Sequence, residues 1–167
     1  CYHRIKRVLD PRLPLPLKAQ ILMINTDVLS VALYPAAVRD LDYAGIDRFV
    51  NRILCRITGC PQRWTSATFL RAELGILPCK YMAHQRALMH LWHLHNEAWF
   101  RNHLGDLRGA GPLKRLTNLA SLYQLDLSTI RLSSKAAWDK DVKAAIRAAA
   151  CRALNADLLE RTLPEAR

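Results

Sequence analysis

Three groups of residues in this chain have types and spacings suited to chemistry. Arg48, Arg52 and Arg56 recur four apart in "DRFVNRILCRI", with Arg63 shortly after. On a helix such a row lies along one face, and guanidinium groups bind phosphate oxygens bidentately. The same stretch carries Cys55 and Cys60 in "NRILCRITGCP", where a zinc knuckle, a redox pair and a phosphate-binding helix end are the competing readings. Further on, "HQRALMHLWHLHNEAWFRNH" holds five of the six histidines. On a helix His90, His93 and Glu97 fall within about 60° of one another, a geometry that two-His-one-carboxylate metal sites use.

Each group also has an ordinary structural explanation. Cys55 and Cys60 straddle a helix end marked by Gly59 and Pro61, no second cysteine pair follows, and the spacing is not that of a C-x-x-C redox motif. Around the histidines, Leu88, Met89, Leu91, Trp92, Leu94, Trp99 and Phe100 leave no distinct polar face, so the reading taken is hydrogen-bonded structural histidines and no metal. For the arginine row the alternative is an ordinary solvated face. Phosphate-binding loops and G-x-S-x-G nucleophile motifs are absent. Asp40 and Asp42, and Asp139 and Asp141, sit where helix starts would use them as caps and dipole partners. This chain alone is therefore read as non-catalytic.

Helices must position these residues. Six glycines and three phenylalanines in 167 residues fit poorly with a sandwich or barrel, and the expectation is an all-α, irregular bundle of about five to six helices. The pattern predicts a first helix from Leu17 to Tyr34, apolar nearly all round, hence buried, and ended by Pro35. A second, from Leu41 to Thr58, packs through Leu41, Ile46, Phe49, Val50, Ile53, Leu54 and Ile57, and Gly59 stops it. A short helix over "ATFLRAEL" follows a Thr65 or Ser66 cap and stops at Gly75. The next begins at Pro78 and runs to Leu104. After the linker-like "GDLRGAGP" come a helix over Leu113 to Leu125 and a last one from a Ser133 or Ser134 cap to Leu159, with Trp138, Val142, Ile146 and Leu154 as its larger apolar residues. The expected division is 1–104 and 105–167.

Twenty-five Lys and Arg against 14 Asp and Glu give a formal charge of +11, spread along the chain, which points to a polyanionic partner. Apolar runs are interrupted by Lys18, Asp27 and Arg39, so no membrane span is expected. An odd count of five cysteines fits free thiols in a reducing, intracellular compartment, cytoplasmic or nuclear. The N-terminal "CYHRIKRVLD" has neither an initiator Met nor a signal-peptide core and reads as part of a longer polypeptide.

The order of segments resembles a known family. "LPLKAQILMINTDVLSVALYP" and then "IDRFVNRILCRITGCPQRWTSATFLRAELGILPCKYMAHQRALMHLWHL" are similar to the region that follows the reverse transcriptase domain in non-LTR (LINE-type) retrotransposon polyproteins. Leu15, Lys18, Val28 and Tyr34 match the first part. Asn51 to Leu54, Arg56, Ile57, Gly59 and Pro61 match the second, and Leu70, Arg71, Glu73, Leu74, Gly75, Pro78 and Arg86 the third. The chain departs from the family's pattern at "YPAAVRDLD". The resemblance implies a helical, thumb-like element over residues 1–104 that packs beside a polymerase palm upstream and grips RNA or an RNA–DNA duplex. It implies Mg only for the palm, and none on this chain. Residues 105–167 are a helical extension of no assigned role. The expected nucleic-acid contacts are Lys18, Arg48, Arg52, Arg56 and Arg63; a scaffold that binds protein partners alone is the alternative.

Overall fold

The chain's first regular element begins one residue after Pro16, whose ring fixes φ ahead of a helix start. This computed structural model describes residues 10, 15–37, 41–63, 65–97 and 111–162. Helix α1 (Leu17–Met23) runs into a π-helical segment, Ile24–Val28, and then into α2 (Leu29–Ala32) and a 3-10 turn, Tyr34–Ala37. α3 (Tyr43–Thr58), α4 (Ala67–Glu73), α5 (Cys79–Asn96), α6 (Gly111–Leu122) and α7 (Lys135–Thr162) follow. Every regular element among the described residues is helical, and the chain is all-α.

The predicted first helix is interrupted where its hydroxyls compete with the backbone. The Thr26 hydroxyl donates to the Leu22 carbonyl at 3.0 Å, and the Ser30 hydroxyl donates to that of Thr26. Such back-bonding loosens an α-helical ladder, and here the ladder widens to π spacing. Only one side is buried. Ile24, Val28, Leu29 and Leu33 are in the core, while Leu17, Leu22 and Val31 face solvent, contrary to the expectation of a helix buried all round. Pro35 does not end the segment outright, because its ring is accommodated within the 3-10 turn.

The described residues pack as two compact units, one within Cys1–Tyr34 and Leu41–Lys80, the other within Pro35–Asp40 and Tyr81–Arg167. The expected boundary after residue 104 lies outside the described residues.

In the first unit α3 is framed by its caps. The Asp42 carboxylate accepts from the Gly45 amide at 2.9 Å, so the helix starts at Tyr43 rather than Leu41. A side chain at Gly45 would collide with that carboxylate. At the other end Gly59 takes φ +69°, the left-handed conformation that ends a helix. Val50, Ile53, Leu54 and Cys55 are its buried residues; α3 packs against both α1 and α4. Ser66 caps α4 through the Phe69 amide.

In the second unit α5 buries Ala83, Ala87, Leu88 and Leu91, and α7 buries Trp138, Val142, Ile146 and Ala150, the α7 residues repeating every four. The Trp138 indole donates to the Leu88 carbonyl at 3.0 Å, tying α7 to α5. The irregular segment between α6 and α7 is tied down likewise. The Trp92 indole donates to the Ser133 carbonyl, and the Asn96 amide donates to that of Ile130. Ser134 caps α7 through the Ala137 amide, while Asp139 pairs with Lys143 one turn on instead of serving the helix start. Beyond Ala150 the helix buries little, and Leu154 is half-buried.

Candidate nucleic-acid interface

α3 presents its two polar faces to different surroundings. Asp47 and Asn51 turn toward α4, where Arg71 is 3% exposed. The Arg71 guanidinium donates to Asn51 Oδ1 at 2.6 Å, to the Leu77 carbonyl at 3.0 Å and to the Asp47 carbonyl at 3.4 Å, and it pairs with Asp47 Oδ1 at 2.7 Å. The same Asp47 oxygen accepts from the Cys79 amide at 2.9 Å, so a carboxylate on α3 caps the start of α5. One buried arginine thus joins α3, α4 and the approach to α5. The sequence pattern gives Arg71 no visible role. An arginine in "LRAELG" carries no mark of burial, and its carboxylate partner lies 24 residues away.

The arginine row lies on an adjacent face of α3, about 120° round the helix from Asp47 and Asn51 and away from the buried Val50, Ile53 and Leu54. Arg48, Arg52 and Arg56 are all exposed, sharing the face that their spacing predicts. Arg48 has a local partner, Asp42 at 4.0 Å, but both side chains are more than 70% exposed, and such a pair contributes little in water. Arg56 occupies the last turn, where a cation also offsets the helix dipole. Arg52 has neither relation: among the described residues no carboxylate pairs with it. Arg63 is exposed in the turn after the Gly59 cap, and Lys18 is exposed on α1. The structure gathers three of the five expected contacts on one helix face and leaves Arg63 and Lys18 on neighbouring segments.

Phe49 departs from its expected place. Counted with the packing residues of α3, it is instead 41% exposed and sits at the edge of the arginine row.

Among the described residues the cysteines are free thiols: Cys55 and Cys79 buried, Cys60 half-buried, Cys151 exposed. Burial, with the neighbouring Cys60 second, pushes the Cys55 thiol above its usual range. Burial followed by the Asp47 carboxylate raises Cys79 to about 12. Both are poor thiolates at neutral pH, as small apolar core positions would be.

On α5, His93 Nδ1 and Glu97 Oε1 lie 3.1 Å apart. Burial lowers the pKa of His90, with His93 adding to the effect and Glu97 opposing it. Among the described residues no three His, Cys, Asp or Glu side chains come together as a metal ion would need. No helix among them is long and apolar enough to cross a membrane.

Comparison with protein-family models, with curated proteins and with solved structures finds no match. The resemblance to non-LTR retrotransposon polyproteins therefore stands on the residues quoted for it alone.

Proposed function

We propose that this chain is a non-catalytic nucleic-acid-binding element that grips the phosphate backbone of RNA or an RNA–DNA duplex through the exposed face of α3. The observation that carries this reading is Arg52. It is a solvent-facing arginine with no capping, dipole or ion-pair relation among the described residues, set between two further arginines on a chain of formal charge +11. Contacts of this kind hold register on a duplex without reading bases. In keeping with the resemblance, the parent is a reverse transcriptase of the non-LTR retrotransposon type, an intracellular RNA-directed DNA polymerase whose palm, with its Mg ions, lies upstream. This chain then supplies the grip and none of the chemistry.

A second reading has its own observation. Tyr34 is 84% exposed, Leu22 62% and Phe69 56%, apolar surface that a protein-binding scaffold would use.

The test is binding of the full chain to an RNA–DNA duplex across a salt series, beside the triple variant Arg48→Ala, Arg52→Ala, Arg56→Ala. A steep fall of log K with log salt, flattened in the variant by about one unit of slope per lost phosphate contact, supports the grip. Equal, flat responses overturn it and favour the scaffold.

A further inference from the structure

The arginine face of α3 also carries an aromatic ring. At 100° per residue Phe49 lies about 20° round the helix from Arg56 and 60° from Arg52, and it is about 4.5 Å below Arg52 along the axis. Phe49 is 41% exposed although its neighbours Val50, Ile53 and Leu54 are almost wholly buried. Among the described residues no ring and no guanidinium stacks on it. A half-exposed phenyl ring flanked by cations is the arrangement by which proteins hold single strands, the guanidinium groups following the backbone while a base lies on the ring.

Resting on the reading of α3 as a phosphate grip, we propose that Phe49 is a stacking platform for an unpaired base, and that the preferred ligand of this face is a single-stranded segment of RNA or DNA. A base inside a duplex has both faces covered by its neighbours and offers this ring nothing, whereas an unstacked base offers a whole face. Charge complementarity argues for a polyanion, and the make-up of the face argues for a nucleic acid over an anionic lipid surface. Membrane-surface helices bury a broad apolar face, and here a single ring stands among arginines.

The experiment measures binding of the full chain to a mixed-sequence single-stranded RNA of about 12 nucleotides, to the same sequence paired as an RNA–DNA hybrid, and to phosphatidylserine vesicles. The variants are Phe49→Ala, Phe49→Leu and Phe49→Trp, beside the triple arginine variant. The expected result is a loss of single-strand affinity of about 5- to 100-fold in Phe49→Ala, with an unchanged salt slope, and recovery in Phe49→Trp. Phe49→Leu keeps the apolar bulk at the edge of the core and loses the flat ring, so it is expected to fold like the parent and bind like Phe49→Ala. Hybrid affinity should change less than about 2-fold, since no base is free to stack.

Wild-type affinity in both Phe49→Ala and Phe49→Leu, or equal losses on single strand and hybrid, overturns the stacking platform. If the arginine variant still lowers the salt slope in that case, the backbone grip survives. A response to salt that is equally flat in the parent and the arginine variant would remove the grip itself. Binding to vesicles with none to either nucleic acid overturns both.

Discussion

Removing the Asp47 carboxylate is expected to be among the most costly single changes in the first unit. Asp47→Ala strands the Arg71 guanidinium, which is almost fully buried, and also leaves the Cys79 amide without its acceptor. Breaking a buried pair from one side costs about 3–5 kcal/mol; because the Asp47 side chain is 25% exposed, the lower end applies, about 3 kcal/mol. Loss of the helix-start acceptor adds about 1 kcal/mol. The sum, about 4 kcal/mol, corresponds to a fall of about 2 M in a urea midpoint at an m-value of about 2 kcal/mol/M. Asp47→Asn retains an acceptor for one partner and should cost about half as much. Arg71→Leu leaves a carboxylate that water reaches and that still holds Cys79, for a cost of about 2 kcal/mol. The double variant Asp47→Ala, Arg71→Leu removes the stranded charge. It should be less destabilised than the sum of its parents by at least about 1.5 kcal/mol. Urea unfolding followed by far-UV circular dichroism gives the cycle, and amide exchange at Cys79 reports the cap directly. A cost below about 1 kcal/mol for Asp47→Ala, with no coupling to Arg71, would refute the reasoning.

Other consequences follow from single groups. Cys151 should react with a thiol reagent at neutral pH far faster than Cys55 or Cys79, as read by mass spectrometry of the modified peptides. Because the folded-state pKa of Cys79 is raised to about 12 from 9.0, the unfolded chain loses its proton first as pH rises. Stability should therefore fall above about pH 9, and that dependence should be weaker in Cys79→Ala. His90 has a lowered pKa, so the unfolded state takes up a proton first on acidification; stability should fall below about pH 6.5, and His90→Gln should reduce this loss in melts at pH 7 and pH 5. Gln124→Gly should raise the melting temperature, by about 0.5–1 kcal/mol of stability, since Gln124 holds φ +55°.

That last residue shows where the sequence was legible and where it was not. The ends of α3 and α4 were readable because Gly59 and Gly75 occupy the left-handed positions their type favours. α6 ends by the same geometry: the Gln124 and Leu125 amides bond back to Ser121 and Ala120. A glutamine gives no such signal, and the helix expected to reach Leu125 stops at Leu122. The periodic apolar stripe of α7 through Trp138, Val142 and Ile146 was legible for the complementary reason, since burial repeats with the helix turn. The arginine row was equally visible, because exposure of one face follows from burial of the other. Phe49 differs from its expected place, since a phenylalanine beside Val50 counts as core by type although it lies at the margin of the buried arc. Arg71 and the cap on Cys79 were invisible because both depend on contacts 24 and 32 residues apart in sequence.

The segment from Gly75 to Pro78 is pinned at every step. Gly75 requires its left-handed backbone, Ile76 is 3% exposed, the Leu77 carbonyl accepts from Arg71, and the Cys79 amide reaches Asp47. It has no slack, and one added or deleted residue would pull the carbonyl, the cap or the isoleucine out of place. Related chains that share this arrangement should vary in substitution here and almost never in length, whereas the exposed turn around Gln62 and Arg63, closed only by the solvent-facing bonds of Thr65 to the Pro61 carbonyl, should tolerate added residues. A reporter peptide inserted there should leave the first unit folded; the same peptide at Gly75 should dismantle it.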